Sequence, residues 1–155
     1  MNFYKFLERQ KLERYQAFIV HYPPFSGKTR FAQRLCLDNP SLFYVDLLTS
    51  YLASQGLPKI TDFGLKPFQK WLLDLACPSD TQTLILDHVD FLVNTWKAEE
   101  KEQFISWLRR TLRTPIDTEK TFVFFIQDDG IISTAQLINS YGESRILKLS
   151  EFDAL

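Results

Sequence analysis

The sequence is poor in cysteine and glycine and carries almost no excess of charge. Its two cysteines, Cys36 and Cys77, stand too far apart to match a metal-binding motif, so we interpret them as free thiols of a reducing compartment. Five glycines leave room for few turns of positive φ. A formal net charge of −1 produces no general field that would attract nucleic acid or a membrane surface. These absences exclude a disulfide-stapled fold and a uniformly basic nucleic-acid binder.

Long apolar runs are also missing. No run approaches the ~20 residues that cross a bilayer, and the N-terminus, Asn2-Phe3-Tyr4-Lys5, lacks the apolar centre of a signal peptide. We therefore expect a soluble, cytoplasmic protein. The composition that is present forms a core: 45% of the 155 residues are hydrophobic and 15% are aromatic, which suits one domain over residues 1–155.

Five short apolar runs alternate with segments of helical periodicity. This pattern predicts an α/β fold with a five-stranded parallel sheet, because parallel strands that are buried on both faces are continuously apolar. The predicted strands are 17–21, 42–47, 84–87, 122–126 and 146–149, and the predicted helices are 28–38, 66–76, 96–113 and 133–140. An N-terminal helix within 1–15 precedes an α/β core over 16–150. Residues 49–65 are expected to be loop, with Thr61-Asp62 or the residues just after them capping the next helix.

The first predicted strand leads into a loop that ends in Gly27-Lys28-Thr29 and then into a predicted helix. This is the context of a phosphate-binding P-loop, in which backbone N–H groups and a helix N-terminus surround a phosphate. Lys28 would reach the β- and γ-phosphates of ATP, and the Thr29 hydroxyl would hold Mg²⁺. The predicted nucleotide-binding residues are Pro24, Phe25, Ser26, Gly27, Lys28, Thr29 and Arg30. The alternative is an ordinary turn with a surface lysine. Tyr22 and Phe25 stand where such loops usually have glycine.

Asp87 ends the predicted strand Leu84-Ile85-Leu86-Asp87. An acidic residue at the end of a second buried strand is what a P-loop site needs to complete the Mg²⁺ shell, so Thr29 and Asp87 are the predicted metal residues. The alternative for Asp87 is an aspartate that caps a turn. His88 stands where hydrolysing enzymes usually have glutamate, and it is either a residue that polarises water or a loop histidine.

Gln127 follows the fourth predicted strand. A polar side chain at that tip would contact the γ-phosphate or the attacking water from a third side. Asp90 either contacts metal or water or begins the next loop. The predicted catalytic residues are therefore Asp87, His88 and Gln127, and a fourth, Arg145, comes from the resemblance that these residues carry.

Taken together, Pro23-Pro24, Gly27-Lys28-Thr29, Leu84-Ile85-Leu86-Asp87, Gln127 and Arg145 resemble the core of an AAA+ ATPase over about residues 15–150. The resemblance implies the sheet order 5-1-4-3-2 with helices on both faces. It also implies that Gln127 is the sensor of strand four and that Arg145, before strand five, reaches a neighbouring subunit's nucleotide site. The alternative for Arg145 is a surface arginine beside a strand. The helical lid that normally follows strand five in that family is expected to be absent.

The lidless layout is similar to the small P-loop proteins of BREX-type bacteriophage-defence systems, the BrxF family. That resemblance implies a bacterial defence protein that associates with itself or works beside a larger ATPase, a methyltransferase and a phosphatase-like partner. The sequence thus predicts an ATP-binding protein with weak or partner-stimulated ATPase activity. The alternative is a P-loop-derived interaction module that has lost nucleotide binding or hydrolysis.

Three arginines, Arg109, Arg110 and Arg113, stand near the end of the predicted helix over 96–113. Basic residues at that end complement the helix dipole. The alternative is a contact with DNA phosphates, for which three arginines make a small footprint.

Overall fold

The five apolar runs form the strands of a computed structural model, which describes residues 1–155. The strands are β1 (Phe18–Tyr22), β2 (Leu42–Asp46), β3 (Thr83–Asp87), β4 (Thr121–Gln127) and β5 (Ile146–Lys148). All pairings are parallel, and the order is β2-β3-β4-β1-β5. The α/β class and the strand order 5-1-4-3-2, read from the other edge, are thereby confirmed.

Six helices connect or flank the strands: α1 (Phe3–Gln10), α2 (Lys28–Leu37), α3 (Leu47–Ala53), α4 (Leu65–Leu73), α5 (Asp90–Val93) and α6 (Ala98–Arg110). Successive strand residues point to opposite faces, so each strand contributes to two cores. In β1, Phe18 and Val20 pack with residues of α1 and α2, whereas Ile19 packs with residues of α4 and α6. Helices therefore cover both faces of the sheet.

The N-terminal helix lies within the predicted range 1–15 and ends at Gln10. The Asn2 side chain accepts a hydrogen bond from the backbone N–H of Lys5, which satisfies one free donor of the first turn. Phe3, Phe6 and Leu7 are buried, and the Phe6 and Phe18 rings meet edge to face at 5.0 Å. This spacing of three and four residues holds α1 against the sheet.

Two predicted segments differ from the fold. Residues 49–65 are not all loop, because α3 occupies Leu47–Ala53 and starts with the Asp46 carboxylate accepting the Thr49 N–H. Residues 133–140 form turns and no helix. There the Asp129 carboxylate accepts the N–H groups of Ile131 and Ile132, and the Thr134 hydroxyl donates to the Gly130 carbonyl. Such side-chain bonds offer the backbone an alternative to helix.

Helix boundaries also shift. The cap of α4 is Gly64, one of the residues just after Thr61-Asp62, which themselves lie in a single 3₁₀ turn. The predicted helix over 96–113 is preceded by the short α5, begins at Ala98 and ends at Arg110, three residues before the predicted end at 113. No helix in the fold combines the length and the apolar character needed to cross a bilayer.

The parallel arrangement sets the position of the polar residues. Because all five strands run the same way, their carboxyl ends lie side by side along one border of the sheet. We call this border, formed by the strand ends and not by an outermost strand, the upper edge. Register brings Tyr22 of β1 opposite Gln127 of β4, and Asp46 of β2 opposite Asp87 of β3. The loop after β1 and the ends of β3 and β4 therefore lie together.

Candidate functional site

The loop between β1 and α2 presents free backbone N–H groups to the upper edge. Gly27 is the N-cap of α2 and has φ 76°. Glycine has no side chain, so no side-chain hydrogen bond caps the helix. The first helical bond of α2 runs from the Phe31 N–H to the Gly27 carbonyl at 3.1 Å. The N–H groups of Lys28, Thr29 and Arg30 thus have no carbonyl partner in their own helix. Together with the helix dipole they make this end attractive to an anion.

Phe25 keeps the backbone shape that a glycine would give the loop. Its φ is 58°, in the left-handed region that residues with a Cβ seldom occupy. Its ring is fully exposed, so no packing of the side chain explains that conformation. Although Phe25 stands where such loops usually have glycine, the backbone at this residue keeps the left-handed conformation that a glycine would adopt.

All seven predicted nucleotide-binding residues border one cleft of about 310 Å³. They share it with two residues at adjoining strand ends, and the full set is Tyr22, Pro24, Phe25, Ser26, Gly27, Lys28, Thr29, Arg30 and Gln127. The cleft has a cationic side chain, free N–H groups and an exposed amide on its walls. It is suited to a polar, anionic ligand.

Asp87 lies beneath this loop and is fully buried. One carboxylate oxygen accepts a hydrogen bond from Lys28 Nζ at 2.8 Å, and the other accepts from Thr29 Oγ1 at 3.0 Å and from the Tyr44 hydroxyl at 2.9 Å. Burial opposes the charged form, but the hydrogen bond and charge of Lys28 and the bond from Tyr44 hold the pKa of Asp87 below its ordinary value. The carboxylate is therefore charged near neutral pH.

The proximity of Thr29 and Asp87 fits Mg²⁺, which prefers hard oxygen ligands and keeps much of its water. No cluster of three or more His, Cys, Asp or Glu side chains is arranged to hold a metal. A cation here would therefore depend on water and on phosphate oxygens for its other ligands.

His88 follows Asp87 in a strained conformation, with φ 57°. Its Nε2 lies 3.5 Å from Asp87 Oδ2 and 4.0 Å from Asp46 Oδ2, and its Nδ1 lies 3.5 Å from Lys28 Nζ. The ring thus stands beside the lysine and between two carboxylates. It belongs to the candidate site and is not an isolated loop residue.

Gln127 and Tyr22 are joined through Asp90. One Asp90 oxygen accepts the Gln127 backbone N–H at 2.9 Å, and the other accepts the Tyr22 hydroxyl at 3.1 Å. The Tyr22 ring also faces Lys28, whose Nζ lies 4.7 Å from the ring centroid. Asp90 therefore begins α5 and also fixes two walls of the cleft.

Two residues of the site were not identified from the sequence: Tyr44, which donates a hydrogen bond to Asp87, and Tyr22, whose ring faces Lys28. Tyr44 stands in the middle of β2 and reaches Asp87 only because β2 pairs with β3, a fact of register that no local pattern contains. Tyr22 stands where such loops usually have glycine. The only indication of its contact with Lys28 in the sequence is that an aromatic residue ends a buried strand directly before the loop.

Arg145 does not belong to this site, and the prediction that it reaches a neighbour's nucleotide is wrong for this fold. It is 2% exposed and precedes β5, at the edge of the sheet opposite the cleft. Its guanidinium donates to the Ala17 carbonyl at 3.0 and 2.6 Å and to the Leu108 carbonyl at 2.9 Å. Burial lowers its pKa to about 10. The surface alternative is wrong as well, because the side chain ties α6 to the chain entering β1.

The other arginines lie near the C-terminal end of α6. Arg109 donates to the Gln136 carbonyl, and Arg113 pairs with Asp117 at 3.1 Å. Arg110 is exposed. Two of the three guanidiniums are thus occupied by the chain's own acceptors.

Comparison with known proteins adds no relative to this picture. No family model, no curated protein and no solved structure matches the chain.

Proposed function

We propose that this chain is a P-loop protein that binds ATP with Mg²⁺ in the cleft at the upper edge. The observation that carries the proposal is the convergence of the free N–H groups at the start of α2, Lys28 and Thr29 on one side with the buried Asp87 on the other. An ordinary strand-to-helix turn has no physical need for a charged carboxylate buried below its lysine.

Each group has a role in binding. The N–H groups and Lys28 would hold the phosphates, with Lys28 turning away from Asp87 as the anionic ligand arrives. Thr29 and Asp87 would hold Mg²⁺ and its water, and the metal would supply neutralisation of phosphate charge. Arg30 borders the same cleft and adds a second cation.

Hydrolysis by the isolated chain is expected to be slow. Phosphoryl transfer depends on positioning and on charges around the γ-phosphate, and the cleft has no glutamate beside Asp87 and no arginine beyond Arg30 on its walls. His88 and Gln127 are the groups available to orient water. A partner or a second copy of the chain would have to supply the missing charge, and Arg145 is buried elsewhere.

The proposal places the chain in the bacterial cytoplasm, as an assembling component of an anti-phage defence complex. This part depends on the resemblance to lidless P-loop proteins of BREX-type systems. The second candidate function, an interaction module without nucleotide, is favoured by one observation: Lys28 is already paired with Asp87, so the loop is held together without a ligand.

Thermal unfolding with and without ATP–Mg²⁺ distinguishes the nucleotide-binding protein from the interaction module. A ligand at 100 times its dissociation constant stabilises the native state by about 2.7 kcal/mol, which raises the melting temperature of a domain of this size by roughly 5–10 °C. We expect that shift with millimolar ATP–Mg²⁺ in the wild-type chain. An unchanged melting temperature, together with no heat in a calorimetric titration, would leave the interaction module as the function.

The loop variant needs a matched control. Lys28→Ala removes the phosphate contact but also leaves Asp87 without its cation, so it is paired with Asp87→Asn in a double variant that keeps the carboxylate position neutral. Lys66→Ala, in the first turn of α4 and exposed, is the control lysine. We expect Lys66→Ala to keep the ATP shift and the double variant to lose it. Retention of the full shift in the double variant would contradict the proposed site.

A further inference from the structure

Lys28 is held by two groups, of which Asp87 is only one. Its ammonium donates to Asp87 at 2.8 Å on one side and faces the Tyr22 ring at 4.7 Å on another. The lysine side chain is 14% exposed, and Tyr22 is 3% exposed, so this contact is largely shielded from water. A shielded contact between a cation and an aromatic face is stronger than an exposed one.

The Tyr22 ring is itself fixed. Its hydroxyl donates to Asp90, and the backbone carbonyl of Tyr22 accepts the N–H of Asp128 at 2.8 Å. Burial and the neighbouring charges of Asp90 and Asp87 raise the pKa of Tyr22, which keeps the phenol protonated as a donor. The ring therefore cannot swing aside without breaking a partly buried hydrogen bond.

A phosphate ligand has to compete with both holders of Lys28. A glycine at residue 22 would offer only the Asp87 contact, whereas tyrosine adds a second contact that must be broken before the ammonium turns to the ligand. We propose, on the basis of the proposed nucleotide site, that Tyr22 is a positioning residue whose ring retains Lys28 over Asp87 and thereby weakens the binding of phosphate at the loop. A phosphate ligand that engages Lys28 has to offset the loss of both contacts.

The proposal is tested first without nucleotide. A small acylating reagent reacts with an amine that it can reach, and mass spectrometry gives the labelling rate at each lysine. Removing the ring in Tyr22→Leu should raise the labelling rate of Lys28 at least about fivefold, because that factor already corresponds to an exposed cation–π contact and a shielded contact exceeds it. Lys66, on the exposed surface of α4, is the internal control and should label at the same rate in all variants.

Tyr22→Phe is the conservative comparison. It keeps the ring over Lys28 and removes only the bond to Asp90, so its Lys28 labelling should fall between wild type and Tyr22→Leu. Urea unfolding of each variant confirms that it is folded, and Tyr22→Met replaces the leucine variant if that one does not fold. Lys28 labelling that is equal in wild type and Tyr22→Leu, or equal in the phenylalanine and leucine variants, would overturn the proposal.

Nucleotide affinity gives the second readout. Tyr22→Leu should bind ATP–Mg²⁺ and inorganic pyrophosphate each at least about fivefold more tightly than wild type, because releasing Lys28 from the ring costs the same free energy for any phosphate that engages the lysine. Affinity that is unchanged or lower in Tyr22→Leu overturns the positioning role. Absence of ATP binding in the wild type overturns the proposed function instead, and the nucleotide-free labelling then still reports whether the ring retains Lys28.

Discussion

Lys28 Nζ lies 2.8 Å from Asp87 Oδ1, so the lysine of the loop is paired with the carboxylate at the end of β3. The carboxylate is fully buried and the lysine nearly so. Such a pair contributes little net stability when it is intact, but breaking it leaves a buried charge without a partner. The pair therefore makes the site's two charged groups depend on each other.

The first prediction concerns this dependence. Lys28→Ala should lower the free energy of unfolding by about 3–5 kcal/mol, because Asp87 then stays buried without its cation. Adding Asp87→Asn should recover at least half of that loss, since asparagine keeps the shape and still accepts from Thr29 and Tyr44. Urea unfolding in nucleotide-free buffer measures both. A double variant as unstable as Lys28→Ala would mean that the lysine acts through packing alone.

The second prediction concerns loop strain at Phe25 and Gly27. Phe25→Gly should stabilise the protein by about 0.5 kcal/mol, because it relieves a positive φ and gives up no packing. Gly27→Ala should destabilise it by about 1 kcal/mol through backbone strain alone, since a Cβ at Gly27 would meet no atom within 4 Å. Denaturant unfolding curves give both values. Equal effects of the same sign at the two positions would contradict the strain argument.

The third prediction concerns acid stability at Asp129. Burial opposes its charge, but Lys101 at 2.6 Å and the N–H groups of Ile132 and Ile131 hold its pKa below the ordinary value. A carboxyl whose folded pKa is lowered adds stability that is present above its unfolded pKa of about 4 and disappears as the pH falls through the folded value. Asp129→Asn should thus be less stable at pH 7 and lose less stability between about pH 5 and pH 2.

The control for Asp129 is Asp80→Asn, a change at an exposed aspartate in the loop before β3. This variant should have the same free energy of unfolding as wild type at pH 7, and that free energy should decrease as much as in wild type when the pH is lowered. An acid slope of Asp129→Asn that equals that of wild type would show that Asp129 does not carry the difference.

The fourth prediction concerns the buried Arg145. Arg145→Met should destabilise the chain by about 2–3 kcal/mol, because the carbonyl groups of Ala17 and Leu108 lose their donor in the interior. Arg110→Met, at the exposed end of α6, should change stability by less than about 0.5 kcal/mol. In addition, Arg145→Met should keep the ATPase activity of wild type, because the side chain lies outside the cleft, and mixing it with Lys28→Ala protein should add none. Activity that is lost in Arg145→Met and restored by mixing would return Arg145 to an intersubunit site.

The sheet was predictable because its signal is local. Continuous apolar runs such as Phe122-Val123-Phe124-Phe125-Ile126 have the composition of strands that are buried on both faces, and the run ending in Asp87 places that aspartate at a strand end. The order of the strands came from the resemblance to AAA+ cores and not from periodicity. The α3 helix was missed because its cap, Asp46, also ends a strand.

The candidate site was predictable where neighbours in the sequence are neighbours in space. Residues 24–30 form one loop, so their shared cleft follows from the motif. Tyr44 and Asp90 reach the site through strand register and through α5, and no spacing in the sequence encodes those contacts. Arg145 was misplaced for the same reason, since a position before β5 does not reveal whether the side chain points to solvent or beneath β1.

The placement of the arginines on α6 has a further consequence. Arg145, before β5, donates to the carbonyls of Ala17, before β1, and of Leu108 in α6, so this end of α6 lies at the amino ends of the strands. The loop that leads into α2 follows the carboxyl end of β1, and the neighbouring β4 spans seven residues, or about 20 Å at the usual rise of a strand. A single anionic group at Arg110 is therefore too far from Lys28 to contact it. Any influence of one residue on the other would be transmitted through α6 or β4, so substitutions at Arg110 and at Lys28 probe the two surfaces separately.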